Sequence, residues 1–193
     1  MPRYDKNHKT ETRRRIIETA SRRLKLDGID GSGVSTLMAD AGLTNGAFYA
    51  HFESKNDLVA TVLDDQLRSQ AATIADLPAG RAAIVEFIGG YLSPEHRDDP
   101  GAGCPSGALL DEIVRLDGRG RDAYTAGVES IIDAVARHLS PDEPAAARRR
   151  ATGLFTLLVG TLQLARAVSD PVLSESVLAA GISSALELLE LDS

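Results

Sequence analysis

Residues 34–59 read VSTLMADAGLTNGAFYAHFESKNDLV, and this stretch decides the fold. One short helix is predicted over residues 35–41 and a second over residues 44–52, with Gly42 permitting a tight turn between them. Two short helices joined by such a turn are typical of a helix-turn-helix, whose second helix is sized for the major groove of DNA. The stretch therefore predicts a DNA-binding unit.

Hydroxyl side chains stand where the helices of this unit are expected to begin. Ser35 or Thr36 opens the first helix and Thr44 the second. Ser54 opens a third helix, which Asp57 strengthens as an acidic variant of the capping box. Four apolar residues around these caps are expected to form the core: Leu43, Phe48, Phe52 and Leu58.

The rest of the chain shows apolar residues at helical spacing and almost no alternation of the kind that marks strands. Residues 93–107 hold three Pro and three Gly and are predicted as a loop. We therefore expect an all-α fold of about nine helices, with a three-helix DNA-binding domain over residues 1–58 and a C-terminal helical domain over residues 59–193. The helices outside the central unit are predicted over residues 10–26, 55–75, 82–92, 108–116, 122–139, 144–168 and 171–191.

Composition restricts the class of protein. The chain has 193 residues, enough to bury a core, and its single cysteine, Cys104, excludes a disulfide framework and a cysteine-cluster metal site. No apolar run approaches the ~18 residues of a membrane span, and the polar N-terminus is unlike a signal peptide. A cytoplasmic protein without cofactor, metal or membrane contact is expected.

The net charge of -7 is unevenly distributed along the chain. Residues 1–58 carry ten Lys or Arg against eight Asp or Glu, whereas residues 59–193 carry eleven Arg against twenty acids. The densest basic segment runs from Arg3 to Arg15. Such asymmetry favours a polyanionic partner for the N-terminal part, although a solubilising tail is the simpler alternative.

The central stretch resembles one family closely. The pattern Ala-x-x-Gly followed by Thr-x-Gly-x-Phe-Tyr-x-His-Phe-x-Ser-Lys-x-x-Leu is similar to the DNA-binding region of bacterial tetracycline-repressor (TetR) family regulators. The resemblance covers about residues 10–60, and the remainder agrees only in length and helical character. The residues that carry it are Ala39, Gly42, Thr44, Gly46, Phe48, Tyr49, His51, Phe52, Ser54, Lys55 and Leu58.

The resemblance implies a homodimer that places one helix-turn-helix in each of two successive major grooves of a palindromic operator. Thr44, Tyr49, His51 and Lys55 match the family's phosphate-contacting positions, and Ser35 or Thr36 is expected to contact another phosphate. Asn45, Gly46 and Ala47 would meet base edges, where an Asn amide can pair with adenine. The alternative for Tyr49 is a half-buried packing residue, and the alternative for His51 is a side chain that caps a neighbouring carbonyl. A basic arm containing Arg3 and Lys6 could follow a groove as a flexible extension.

The family also implies a C-terminal pocket for a small-molecule effector, expected here to have mainly apolar walls. Its predicted walls are Phe87, Tyr91, Leu110, Ile113, Tyr124, Val128 and Phe155, with Glu112, Gln163 or Arg166 as polar anchors. Plain core positions are the alternative for each of them.

The last two predicted helices carry a wider apolar face than one buried stripe requires. The resemblance implies that they form a four-helix bundle with the same helices of a second subunit, and inner helices of a monomer are the alternative. The residues predicted at this interface are Leu154, Leu157, Leu158, Leu164, Ile182, Leu186 and Leu189.

Three other functions are alternatives to a ligand-responsive repressor. Cys104 precedes a predicted helix whose N-terminus could lower the thiol pKa, which makes redox or electrophile sensing an alternative. A structural DNA-binding protein is disfavoured by the large acidic C-terminal part. An enzyme is disfavoured because no nucleotide-binding, zinc-protease or nucleophile-elbow motif is present, and no catalytic residue is predicted.

Overall fold

The computed structural model describes residues 3–190, with side chains from residue 8 onward, and this range is helical with no strand. The predicted all-α fold is confirmed. The described range contains nine α-helices and one 3₁₀ helix: α1 (Arg3–Asp27), α2 (Val34–Asp40), the 3₁₀ helix (Asn45–Ala50), α3 (Lys55–Ala75), α4 (Arg81–Tyr91), α5 (Pro94–Asp98), α6 (Pro105–Ile113), α7 (Gly118–Leu139), α8 (Pro144–Ala167) and α9 (Pro171–Leu188).

The basic N-terminal segment is part of α1. The helix begins at Arg3, seven residues before its predicted start, so the backbone there is helical rather than an extended arm. The prediction relied on the apolar stripe, which begins only at Ile16, and the exposed turn at residues 8–10 contributes nothing to such a stripe. The side chains of Arg3 and Lys6 lie outside the described residues.

The segment predicted as a loop, residues 93–107, contains α5 and the first turn of α6. Ser93 caps α5 by accepting a hydrogen bond from His96 N at 3.2 Å. Pro94 and Pro105 each stand at the start of a helix, where the fixed proline φ suits the first helical position. Counting prolines as breakers therefore underestimated the helix content here.

The second helix of the predicted helix-turn-helix is a 3₁₀ helix rather than an α-helix. Ala47 N donates to Thr44 O at 3.0 Å and His51 N to Phe48 O at 2.9 Å, both three residues back. Six residues that include Gly46 give little helix propensity, and short segments of this kind commonly take the tighter form. We call residues 45–50 the recognition segment.

The N-terminal elements share one hydrophobic cluster, which we call the head core. Its largest fully buried side chains include Phe48, Leu37 and Met38, and α6 contributes Leu109 and Ile113 from outside the central stretch. Of the four residues predicted as core, Phe48, Phe52 and Leu58 are buried, and Leu43 is half-buried against them. Helix α6 is thus anchored in the head.

A second cluster fills the space between α3, α4, α7, α8 and α9. Helix α3 packs along α7, and a Cβ on Gly127 would lie 2.5 Å from Leu67 Cβ, so this glycine permits the close approach of the two helices. Helix α3 contributes Leu63 to the head core and Leu67 to this cluster. Because it runs without a break from Lys55 to Ala75, it continues through residues 58 and 59, where the two domains were expected to divide. The domain division at that point stays a prediction.

Candidate nucleic-acid interface

The recognition segment is fixed by aromatic packing beneath it. Phe48 is fully buried and Phe52 nearly so, with their ring centroids 5.7 Å apart. Tyr49, next in sequence, packs edge-on against Phe48 at 5.3 Å and remains 70% exposed. The segment is therefore rigidly attached to the head core while presenting its outer side chains to solvent.

The predicted base-reading and phosphate-contacting residues form an outward row at the start of this segment. Thr44, Asn45 and Gly46 are exposed, while Ala47 is half-buried against the head core. Thr44 occupies the N-cap position but its side chain makes no cap hydrogen bond, contrary to the sequence prediction. Its hydroxyl is consequently not committed to the helix.

Helix α2 contributes a second exposed edge. Ser35 and Thr36 are both exposed, as phosphate contacts would require. The cap of α2 is Gly33 rather than either hydroxyl residue, and no side chain caps the helix. The predicted capping role is therefore wrong for both side chains.

The N-terminus of α3 is held by a network around Asp57. Ser54 Oγ accepts from Asp57 N at 3.1 Å, which confirms the predicted cap, and the Asp57 carboxylate accepts from Glu53 N at 3.0 Å. Arg119 from α7 pairs with the same carboxylate at 2.8 Å. Lys55, the first residue of α3, is thereby placed beside the recognition segment on a fixed helix end.

Two basic residues of α1 join this surface, and residue-by-residue matching did not identify them. The Arg13 guanidinium carbon lies 4.6 Å from the centroid of the Phe52 ring. Burial, followed by the charges of Lys9 and Arg13, lowers the pKa of His51, whose Nδ1 is buried without a partner. A neutral His51 and the cations Lys9 and Arg13 thus lie beside the exposed residues of the recognition segment. The high density of basic residues between Arg3 and Arg15 was the sequence feature that pointed to these two cations.

The residues predicted for an effector pocket are dispersed. Tyr91 lies on the wall of a cavity of about 270 Å³. Ile113 is in the head core, Phe155 is buried in the second cluster, and Phe87, Leu110 and Val128 are half-buried against that cluster. Tyr124 packs against both clusters and donates to Ser106 Oγ at 3.0 Å. The structure does not gather these side chains into one apolar pocket.

The three predicted polar anchors all bind the backbone of their own chain. Glu112 accepts from Ile29 N at 2.7 Å and Asp30 N at 3.1 Å, which ties α6 to the loop after α1. Gln163 donates to the Ser106 carbonyl at 3.3 Å. Arg166 donates to the carbonyls of His96, Arg97 and Gly107. These hydrogen bonds hold the fold together, and the role of the three residues as polar anchors of an effector stays a prediction.

The predicted dimer residues divide into two groups. Leu154, Leu158 and Leu189 are buried within the chain, so these three are corrected to core positions. Leu157, Ile182 and Leu186 are half-buried, and Leu164 is 53% exposed. Helical spacing identified the apolar faces without distinguishing the side that packs inward.

An apolar groove runs along the outer face of α8 and α9. A Cβ on Gly153 or Gly160 would meet no atom within 4 Å, so the groove floor is open. We call this surface the α8–α9 groove, and its residues include Gly153, Leu157, Gly160, Leu164, Val177, Ala180 and Leu188.

In the described residues no helix is both long and apolar enough to cross a membrane.

Cys104 is the N-cap residue of α6, is buried, and lies on the wall of the cavity next to Tyr91. Its role as a sensor stays a prediction.

Comparison with known proteins gives matches to the N-terminal part. Residues 16–62 match the family described as bacterial regulatory proteins, tetR family. The chain is 39% identical over 64 residues to the HTH-type transcriptional regulator TtgR of Pseudomonas putida, covering 33% of this chain and 30% of that protein. It is 34% identical over 62 residues to AcrR of Shigella flexneri, covering 32% and 29%. The matches therefore span under a third of these relatives.

Solved structures agree with the fold over nearly the whole chain. The reduced form of E. coli NemR superposes with a TM-score of 0.77 at 20% identity, covering 92% of this chain and 96% of that one. A TetR-family regulator from Agrobacterium tumefaciens gives 0.76 at 20% identity, covering 93% and 97%. At this identity the likeness establishes the fold.

Residues 16–62 are thus similar to bacterial regulatory proteins of the tetR family, and the helical fold is similar to that of a solved regulator of this family over nearly the whole chain. Both relatives are named HTH-type transcriptional regulators.

Proposed function

We propose that the chain is a repressor that binds a palindromic operator as a homodimer and releases it when a small-molecule effector binds. The observation that carries the proposal is the exposed row Thr44, Asn45, Gly46 and Tyr49 on a segment fixed by buried Phe48. A rigid, exposed segment is what base readout requires, because mobile side chains would lose ordering entropy on binding. Such a regulator would act on DNA in the cytoplasm.

The polar residues around the row are assigned by chemistry. Asn45 is the base-reading side chain, since its amide can pair with adenine N6 and N7, while Gly46 and Ala47 allow close backbone approach. Thr44, Tyr49, His51 and Lys55 contact phosphates beside it, and Ser35 or Thr36 contacts another from α2. Phosphate contacts fix the register of a protein on the duplex, and base contacts supply its sequence preference.

The α8–α9 groove is the surface assigned to the second subunit. Its floor is open at two glycines and its sides carry Leu157, Leu164 and Val177. An apolar groove of this kind on two long helices suits close packing of the same helices from another copy. Dimerisation would set the distance between the two recognition segments, and an effector that favours another distance would release DNA.

Replacing Lys55 with alanine is expected to weaken binding to every duplex similarly. The lysine neutralises one phosphate per subunit, so the slope of log affinity against log salt should fall by about 1 per subunit and about 2 per dimer. Gel shifts with a duplex selected from a random pool, repeated over a salt series, measure this slope. Arg68→Ala is the matched control, since it removes an exposed cation from α3. A changed base preference would contradict the phosphate assignment.

Replacing Asn45 with alanine is expected to relax sequence preference at one base pair in each half-site. The lost amide pairing corresponds to about 1–3 kcal/mol of discrimination, while the salt dependence should stay as in the parent because no charge is removed. Competition between duplexes with single substitutions in each half-site measures the change. Uniform weakening across all duplexes would show that Asn45 does not read a base.

A further inference from the structure

A cavity of about 270 Å³ lies between α3, the end of α4 and the segment that leads into α6. Its wall is polar, unlike the apolar pocket expected from the sequence. Helix α3 supplies Gln66, Ser69, Gln70 and Thr73, which follow one another at helical spacing along a single face. Across from them the wall is formed by Tyr91, His96 and Cys104.

Tyr91 contributes a polar atom without a partner. The residue is 5% exposed, and its hydroxyl is buried with no nitrogen or oxygen partner among the described residues; the weakly polar thiol of Cys104 lies beside it. Gln70 Oε1 on the facing wall is buried and unpartnered as well. Buried polar atoms are nearly always hydrogen-bonded, so two such atoms on one cavity wall point to a ligand that supplies the missing partners.

His96 fixes the position of this hydroxyl without competing for the ligand. Cys104 N donates to His96 Nε2 at 3.1 Å, so Nδ1 carries the ring proton and donates to Tyr91 O at 2.7 Å. Burial lowers the pKa of His96, consistent with a neutral ring. Both ring nitrogens are thus occupied, and the Tyr91 hydroxyl remains the donor available at this wall.

Two cations stand behind the wall. Lys25 from α1 is 7% exposed, and its ammonium donates to Gly103 O at 2.8 Å and to Gln66 Oε1 at 3.3 Å, both in residues that line the cavity. Burial lowers the pKa of Lys25 to about 8, so it is still mainly charged at pH 7. Arg166 Nη2 lies 3.3 Å from the position that a Cβ on Gly103 would take.

Neither cation is neutralised by a carboxylate. Among the described side chains, no carboxylate oxygen comes within 4.0 Å of Lys25 or Arg166, and Arg166 is held by carbonyl oxygens alone. Asp99, which acts on Lys25 over a longer distance, already pairs with Arg22 at 3.5 Å. Asp98 and Asp99 also act on half-buried Arg166 without contacting it, so the two positive charges are offset only at longer range and an anion in the cavity would be favoured.

We infer that this cavity binds a small carboxylate, whose oxygen accepts the Tyr91 hydroxyl and whose charge offsets Lys25 and Arg166. The Gln70 amide, turned to present its nitrogen, would donate to the second oxygen. An uncharged ligand could satisfy Tyr91 but would leave both cations unpaired. The inference rests on the proposed function in one respect, namely that this carboxylate is the effector. Lys25 of α1 donates to Gly103 O on the cavity wall, which connects the cavity to a helix of the DNA-binding part.

Cys104 provides a reporter for the test, because it is the single cysteine of the chain and lies on the cavity wall. Iodoacetate and iodoacetamide have nearly the same size and differ in charge, so the ratio of their alkylation rates measures the preference of the cavity for an anion. Mass spectrometry follows the reaction, and 2-mercaptoethanol gives the ratio for a free thiol. We expect the ratio at Cys104 to exceed the free-thiol ratio by about tenfold.

Tyr91→Phe and Lys25→Met should each lower the ratio at least about threefold, as expected when one of several focused contacts is lost. Arg121→Met, which removes an exposed cation away from the cavity, should leave it unchanged. Circular dichroism checks that every variant is folded. A parent ratio equal to that of the free thiol, or a ratio unaffected by Tyr91→Phe, would overturn the inference.

Titration calorimetry with propionate and propionamide covers the case in which the buried thiol reacts with neither reagent. Propionate should bind to the parent and lose affinity in Tyr91→Phe, whereas propionamide should not bind. Binding of the amide as tightly as the acid, or of neither, would overturn the inference. Neither measurement involves DNA, so loss of operator binding would count against the proposed function alone.

Discussion

Replacing Leu164 with glutamate is expected to produce monomers and to lower operator affinity by about 100-fold or more. The side chain is 53% exposed on the α8–α9 groove, where contact with a second copy would bury it. In a two-fold interface the substitution places two buried charges at once, and separated heads lose the gain of binding both half-sites jointly. Sedimentation velocity measures the mass, and gel shifts with the selected duplex measure the affinity.

Val114→Glu is the matched control for this prediction. Val114 is 64% exposed at the end of α6, outside the α8–α9 groove, so the same change of apolar for acidic should leave the dimer and its operator affinity intact. A dimer that persists in Leu164→Glu would show that the subunits meet on another surface.

Leu158 illustrates why the interface could be predicted only in part from sequence. Apolar residues repeat at three and four along α8, and the repeat identifies an amphipathic helix without saying which side faces its own chain. Leu158 is 1% exposed and lies in the second cluster, whereas Leu164 and Leu157 flank the groove. A charge at Leu158 would therefore unfold the subunit rather than separate two subunits.

The cavity beside Tyr91 and Cys104 could not be predicted from the sequence for a related reason. Gln66, Ser69, Gln70 and Thr73 form a polar stripe at helical spacing, which in sequence looks like the solvent face of α3. Only the return of the segment around Cys104 turns part of that stripe into a cavity wall. Long-range placement of this kind depends on Arg166 and His96 bonds to a segment that the sequence suggested was a loop.

The helix-turn-helix was the part most open to prediction. The spacing of Phe48, Phe52 and Leu58 in the motif anticipated the buried face, and Ser54 anticipated the start of α3. The 3₁₀ form of the recognition segment was not anticipated, because motif spacing is nearly the same for a short α-helix and a short 3₁₀ helix.

Phe48 and Tyr49 are expected to respond oppositely to truncation, although they are adjacent in sequence. Phe48→Ala should lower the free energy of unfolding by about 3–5 kcal/mol, because it leaves a cavity beneath the recognition segment at a fully buried site. Tyr49→Ala removes a side chain that is 70% exposed and should change stability by no more than about 0.5 kcal/mol. Urea denaturation followed by circular dichroism gives both values.

Operator binding should reverse the order of the two variants once folding is taken into account. At a temperature where Phe48→Ala remains folded, Tyr49→Ala should lose about tenfold in affinity for all duplexes, as expected for one hydrogen bond to a charged phosphate per subunit. Phe48 makes no DNA contact itself, so Phe48→Ala should lose affinity only as far as the recognition segment becomes less rigid. The slope of its log affinity against log salt should equal that of the parent. If Tyr49→Ala instead destabilised the fold as strongly as Phe48→Ala, the tyrosine would be a packing residue and not a phosphate contact.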